Sequence, residues 1–217
     1  MSLPDLVIFD CDGVLVDSEP VSNRVLSENL VQYGYEITPE NCVDLFAGGT
    51  IAGAGDYLRG LGVDLPETWI PEIYSEIHAA LRAGVDLIPG IPDLLDHLEG
   101  HAIPFCVGSN GSMEKMHITL GQHGIMGRFT GVFSARDIGP PKPDPMLYLH
   151  IADWIGCRPD QAVVIEDSIA GVRAAVAGGF RCFGYAPEGD GARLRSHGAE
   201  VFHHMGDVPG MLLRAMT

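Results

Sequence analysis

Positive charge is what this sequence has least of. Lysine and arginine together number 13 against 29 aspartates and glutamates, and the formal net charge is -16. Nucleic acids and anionic membranes need a basic footprint, so this balance argues against both as partners. An anionic ligand would need a local site that reverses the field, and a divalent cation does that. Long apolar runs are also missing. No stretch of about 18 apolar residues occurs, so no membrane span is expected. Pro4 and Asp5 interrupt the start, and the next apolar run is too short for a secretory signal. The five cysteines are scattered and lack Cys-x-x-Cys spacing. That pattern predicts free thiols in a reducing cytoplasm, not disulfides or zinc. His203-His204 reads as a surface pair, since no third ligand follows at matching spacing. Internal repeats and low-complexity tracts are absent. The rarest charged residue is lysine: Lys115 and Lys142 stand against eleven arginines. Lys142 lies inside Pro140-Pro141-Lys142-Pro143-Asp144-Pro145. Arginine does not replace lysine where a compact point charge must reach a phosphate.

What is present is an ordinary globular composition, 46% hydrophobic and 19% charged over 217 residues. That length buries one good core with room for a small second domain. The first strong element is Leu6 to Phe9, a short apolar run that reads as a buried strand. Asp10 and Asp12 follow it. Residues two apart in extended chain point to one side, so both carboxylates project into one small volume, and Gly13 lets the chain turn. A calcium loop of the EF-hand type is excluded, because Val14 and Leu15 stand where it needs a ligand and a glycine.

Helical spacing then takes over from Val21 to Gly34, from Pro39 to Phe46 with Thr38 as N-cap, and over 51–61 and 67–81. Between 20 and 83 no strand is predicted. Afterwards strands alternate with helices. Strands are predicted at 103–107, 130–134, 162–165, 180–185 and 200–202, with helices over 93–99, 113–120, 145–155, 169–177 and 207–216. Such alternation predicts an α/β fold with a doubly wound parallel sheet and an inserted all-helical segment.

In a parallel sheet the carboxyl ends of the strands share one edge. That edge would gather Asp10 with Asp12, Ser109 with Asn110, and Glu166 with Asp167, with Lys142 on a loop between the last two groups. Carboxylates from two strand ends suit a hard cation such as Mg2+. Ser109, helix-start N–H groups and Lys142 suit a phosphoryl group. An aspartate beside such a cation is a known type of phosphoryl acceptor. A second carboxyl two residues on can hold a proton, because like charges push their pKa values apart.

These pieces resemble the haloacid dehalogenase-like hydrolases. The match is carried by Asp10-Cys11-Asp12-Gly13-Val14-Leu15-Val16-Asp17-Ser18, Ser109-Asn110, Lys142-Pro143-Asp144-Pro145, and Glu166-Asp167-Ser168 with Gly171 and the small-residue run to Gly179. The branch it most resembles is that of the β-phosphoglucomutase-like phosphatases with a helical cap. The resemblance implies a core of 1–17 with 88–217 and a cap of 18–87 that closes over the site. It implies Asp10 as nucleophile and Asp12 as general acid and base. Ser109, Asn110 and Lys142 would hold phosphate. Asp10, the Asp12 carbonyl and Asp167 would hold Mg2+, with Glu166 direct or through water. Dehalogenases proper lack the second aspartate, so Asp12 argues for phosphoryl chemistry.

The mutases of that branch have a cap histidine where this chain has Ser22. Their specificity loop carries Lys and Arg, where this chain reads Phe46-Ala47-Gly48-Gly49-Thr50-Ile51. Gly48, Gly49 and Thr50 are the expected substrate-facing cap residues. A mutase must hold a second phosphate in its cap, and Arg24, Arg59 and Arg82 are few cations for that. The expectation is therefore a Mg2+-dependent phosphatase of a small sugar phosphate or sugar-acid phosphate, monomeric or dimeric. Ser109-Asn110-Gly111 with Lys115-Met116 also resembles the phosphogluconate phosphatase-like members. A phosphosugar mutase and a non-catalytic binding module are the alternatives.

Overall fold

The computed structural model describes residues 3–46 and 51–213. The chain divides into two units, Met1–Val16 with Leu87–Thr217, and Asp17–Asp86.

The first unit starts with β1 (Leu6–Phe9), in which every residue is buried. A strand apolar on both faces belongs at the centre of a parallel sheet covered on both sides. The helical unit supplies α1 (Glu19–Gln32), α2 (Pro39–Phe46), α3 (Ile51–Gly60) and α4 (Trp69–Ala83). The chain then returns through α5 (Ile91–Gly100), β2 (Phe105–Ser109), α6 (Met113–Gly121), β3 (Gly131–Ser134), α7 (Ala135–Ile138) and α8 (Met146–Ile155). It closes with β4 (Ala162–Glu166), α9 (Ile169–Ala177), β5 (Arg181–Tyr185), α10 (Ala192–Arg195), β6 (Glu200–Phe202) and α11 (Val208–Leu212).

The six strands are parallel in the order β3-β2-β1-β4-β5-β6. This is the doubly wound α/β fold that the alternation predicted. Val7 pairs with Phe105 on one side and with Val163 on the other. The strand order therefore reverses at β1, and ligands of such sheets bind beyond the strand ends at that reversal. One core layer packs Leu6, Ile8, Cys106 and Val164 against Leu147, Tyr148 and Ile151 of α8 and Val172 and Ala175 of α9.

β2 lies two residues further on than the spacing suggested. Pro104 has no N–H for the ladder, although its carbonyl accepts from Val7 N at 3.0 Å. The strand consequently runs to Ser109, which pairs with Ser134. The last helix is shorter than expected, a 3-10 turn at Met205–Asp207 leading into α11. Helices α7 and α10 were not predicted, because four residues are too few for periodicity to register.

In the helical unit, Thr38 caps α2 as expected, its Oγ1 accepting from Asn41 N at 3.3 Å. Trp69 is fully buried, and its Nε1 donates to Asn29 Oδ1 at 2.8 Å. Gly53 and Gly55 weaken α3 on propensity alone. A Cβ at Gly55 would lie 3.0 Å from the Trp69 ring, so the glycine makes room for that indole. Cys11, Cys42, Cys106, Cys157 and Cys182 are free thiols. Among the described residues no helix is long and apolar enough to cross a membrane.

Candidate active site

Asp10 directly follows β1, its N–H donating to Ile165 O at 2.9 Å. Lys142, on the loop before α8, sends its ammonium 2.7 Å to Asp10 Oδ1 and 2.7 Å to Glu166 Oε1. The Lys142 side chain is 3% exposed and the Glu166 side chain 0%. Both are therefore charges taken out of water, and each is tenable only with the other present. The Tyr148 ring lies 4.9 Å from the ammonium, and its hydroxyl donates to Glu166 Oε1 at 2.6 Å. Burial works against the lysine's charge, but Asp10 and Glu166 outweigh it and hold its pKa above the usual value. Burial raises the Asp10 carboxyl most, with Glu166 and Asp12 adding to it and Lys142 opposing, and the result is about 7. For Glu166 burial is again the largest influence, yet Lys142, Tyr148 and Ser168 overcome it and hold the carboxyl below its ordinary range.

Glu166 is the most heavily bonded group here. Its second oxygen accepts from Asp167 N, Ser168 N and Ser168 Oγ at 3.1, 3.1 and 2.9 Å. Ser168 also caps α9, accepting from Gly171 N at 3.0 Å. A Cβ at Gly171 would overlap the Glu166 carboxylate. Asp167 sits against the turn after β1: a Cβ at Gly13 would collide with its carboxylate, and Gly13 has φ +74°. Carboxylate oxygens of Asp10, Glu166 and Asp167 lie within 4.8 Å of one another. An all-oxygen donor set of this kind, with a glycine cradling one carboxylate, fits a hard divalent cation. Glu166 contributes least to that fit, since five donors already fill both its oxygens.

At the end of β2, Ser109 is 1% exposed and its Oγ accepts from Gly111 N at 2.9 Å. Its hydroxyl hydrogen has no acceptor among the described residues. Ser134 Oγ latches the same loop, donating to Gly111 O at 2.7 Å. The Asn110 side chain has a protein partner. Its Oδ1 accepts from Lys142 N at 2.9 Å and its Nδ2 donates to Lys142 O at 3.3 Å, so the amide is engaged with the lysine's main chain.

A family model described as haloacid dehalogenase-like hydrolase matches residues 7–185. The chain belongs to that family. Its relatives include the 6-phosphogluconate phosphatase of Escherichia coli, 28% identical over 96% of this chain and 95% of that protein. Hexitol phosphatase A of the same organism is 31% identical over 86% of this chain and 85% of its own length. A crystal structure of a conserved haloacid dehalogenase-like protein of unknown function from Agrobacterium tumefaciens is 33% identical. It has a TM-score of 0.86 and covers 98% of this chain and 99% of that one. The two Escherichia coli relatives are named phosphatases, and the chain is an enzyme of that hydrolase family.

The structure thus brings Asp10, Asp12, Ser109, Asn110, Lys142, Glu166 and Asp167 of this hydrolase to one end of the sheet. Gly48, Gly49 and Thr50 lie outside the described residues. Two neighbours were not on the sequence-derived list. Tyr148 gave no signal, since a buried aromatic on a helix reads as core. Lys115 did give one through the scarcity of lysine. Its Nζ lies 2.7 Å from Asp12 Oδ1, so both lysines of the chain serve this one site. Burial opposes the Lys115 charge, but Asp12 overcomes that and raises its pKa.

Proposed function

We propose that this hydrolase is a Mg2+-dependent phosphatase of small phosphorylated metabolites, a sugar phosphate or sugar-acid phosphate, acting through an aspartyl phosphate on Asp10. The observation that carries the reading is the Lys142 ammonium held 2.7 Å from Asp10 at the strand-order reversal, with the Ser109 loop alongside. The names of the two Escherichia coli relatives, one for a phosphorylated sugar acid and one for hexitols, support a small sugar-derived substrate.

In this reading an Asp10 oxygen attacks phosphorus and the bond to the leaving alcohol breaks. Asp12 delivers its proton to the departing oxygen, then takes one from the water that opens the aspartyl phosphate. Lys142 and the Ser109 hydroxyl steady the charge on the transferring group. Asp10, Asp167 and the Asp12 carbonyl would hold Mg2+, which when bound supplies charge neutralisation for the phosphoryl oxygens. Glu166 acts one step back, fixing Lys142 from below. The helical segment 18–87 takes the part of a cap that selects the leaving group.

The test is phosphate release from a panel of phosphorylated metabolites, with Mg2+ and with EDTA. Release that needs Mg2+ and disappears in Asp10→Asn is expected. Isomerisation that needs a bisphosphate activator, in place of release, would overturn the reading in favour of a mutase.

A further inference from the structure

Tyr148 is the third residue of α8, and its side chain is fully buried against the sheet. A helix position of that kind needs only an apolar ring, and phenylalanine would fill it. The ring is held on two sides. Phe180 meets it edge-on at 6.1 Å between centroids, and a Cβ at Gly108 of β2 would come within 3.3 Å of its Cε1. Packing therefore aims the hydroxyl. A buried hydroxyl is unfavourable unless it is bonded, and this one donates to Glu166 Oε1 at 2.6 Å.

The bond is not needed to keep Glu166 in the fold. That carboxylate also accepts from Lys142 Nζ, Asp167 N, Ser168 N and Ser168 Oγ. What sets the tyrosine apart is the oxygen it uses. The Asp167 and Ser168 donors fall on Oε2, and among the described residues Tyr148 alone shares Oε1 with Lys142. The ammonium lies 2.7 Å from that oxygen and 2.7 Å from Asp10 Oδ1, so two carboxylates compete for one charge. The lysine side chain is 3% exposed, and solvent screens the competition little. A second donor on Oε1 weakens the hold of Glu166 on the ammonium. The Tyr148 ring, 4.9 Å from the same ammonium, adds its π face to the cation's surroundings.

We infer that Tyr148 is a positioning residue: by occupying Glu166 Oε1 beside Lys142, it keeps the ammonium turned toward Asp10 and the phosphoryl group to be bound there. The inference rests on the function proposed above. Positive charge that Glu166 does not draw off is available to the transferring group, and it counts most where charge on that group is redistributed in the transition state. The tyrosine thus acts on turnover more than on substrate binding, and it acts through Glu166.

Tyr148→Phe tests this, since it keeps the ring and removes one donor. With Mg2+ and the best substrate of the panel, kcat is expected to fall about tenfold, the size of one charge-assisted hydrogen bond. KM should change little, and the melting temperature should stay close to that of wild type, because Glu166 keeps its other donors. A double-mutant cycle with Glu166→Gln locates the effect. In the Glu166→Gln background, adding Tyr148→Phe should lower kcat little further. Equal losses in both backgrounds, or an unchanged kcat in Tyr148→Phe alone, would overturn the inference and leave the hydroxyl with a packing role. Should Glu166→Gln fail to fold, the single variant decides: a loss confined to kcat supports the role, and a loss confined to KM or to stability overturns it. Calorimetric binding of orthovanadate, whose five-coordinate form resembles the transferring phosphoryl group, reads the lysine's placement without turnover. Tyr148→Phe should weaken vanadate about tenfold while inorganic phosphate binds as it does to wild type. That result in a protein that releases phosphate from no substrate of the panel would overturn the phosphatase reading and leave the tyrosine's role standing. Equal vanadate binding by the two proteins would overturn the role, whatever their turnover.

Discussion

Asn110 holds Lys142 by its main chain, accepting from the lysine N–H at 2.9 Å and donating to its carbonyl at 3.3 Å. The loop that carries the ammonium is thereby tied to the end of β2. Asn110→Ala removes both bonds and is expected to destabilise the protein by about 1–3 kcal/mol. Because the lysine also loses its register, kcat/KM should fall about tenfold or more. Urea unfolding and steady-state kinetics check the two effects. Unchanged kinetics in a destabilised protein would reduce the amide to a structural tie.

Lys142→Arg keeps the charge but not the shape. The site holds the ammonium between two carboxylates with a side chain 3% exposed, which leaves no space for a planar fork. A loss of about tenfold or more in kcat/KM is expected. Near-normal turnover would mean that the charge alone suffices.

Gly171→Ala places a methyl into the Glu166 carboxylate, whereas a Cβ at Gly60 meets nothing within 4 Å. Overpacking of this kind costs about 1–3 kcal/mol. Gly171→Ala should lower the melting temperature and the activity together, and Gly60→Ala should leave activity intact. Equal stability of the two variants, by calorimetry, would contradict the packing described around Glu166.

Metal binding should be linked to pH through Asp10. Its carboxyl rises from the ordinary 3.8 to about 7 in the folded protein. Between those values the folded chain carries a proton that the unfolded chain has lost, so metal-free stability falls as pH rises through that interval and levels above it. A cation needs the ionised carboxylate, and below pH 7 its apparent affinity should drop about tenfold per unit. The rise in melting temperature on adding Mg2+ should be full at pH 8 and largely lost at pH 5.5. A rise independent of pH would put the ion on other ligands.

Asp12→Asn separates the two chemical steps. An alkyl leaving group needs a proton from this residue, while an activated aryl group departs as an anion. Formation of the aspartyl phosphate should slow by roughly 10²–10⁴ on a sugar phosphate and far less on an aryl phosphate. Rapid-quench measurement should then find phosphoenzyme accumulating with the aryl substrate. Equal slowing on both, without accumulation, would count against Asp12 as acid and base.

The strand-end clusters were legible because each follows a short apolar run, and a run that ends in Asp, Ser or Glu locates a strand tip without any tertiary information. The sheet followed from alternation. The pairing of Lys115 with Asp12 was not legible, although lysine scarcity marked both lysines. Only Lys142 lies in a proline-rich motif, and Lys115 reads as one more polar residue on an amphipathic helix. Asn110 was read as part of a strand-end polar cluster, and the tie of its side chain to main chain 32 residues away is one that no local pattern encodes. Glu166 was read as a metal group and does lie in the acidic cluster with Asp10 and Asp167. Of the five donors around it three come from the next two residues, while Lys142 and Tyr148 are brought in from the loop before α8 and from α8 itself.

The register of β1 has a consequence for how the molecule is made. Val7 finds its neighbours at Phe105 and Val163, and the Asp10–Lys142 contact spans 132 residues of sequence. The central strand is made before both of its partners and waits unpaired until they follow, while the local contacts of α1 to α4 can already close. Loop closure over such separations is slow, and an apolar strand kept waiting is exposed to wrong pairings. The two acids that follow it, Asp10 and Asp12, are then charges at the tip of that sticky segment. Charges that flank an apolar strand are the kind that disfavour such wrong pairings.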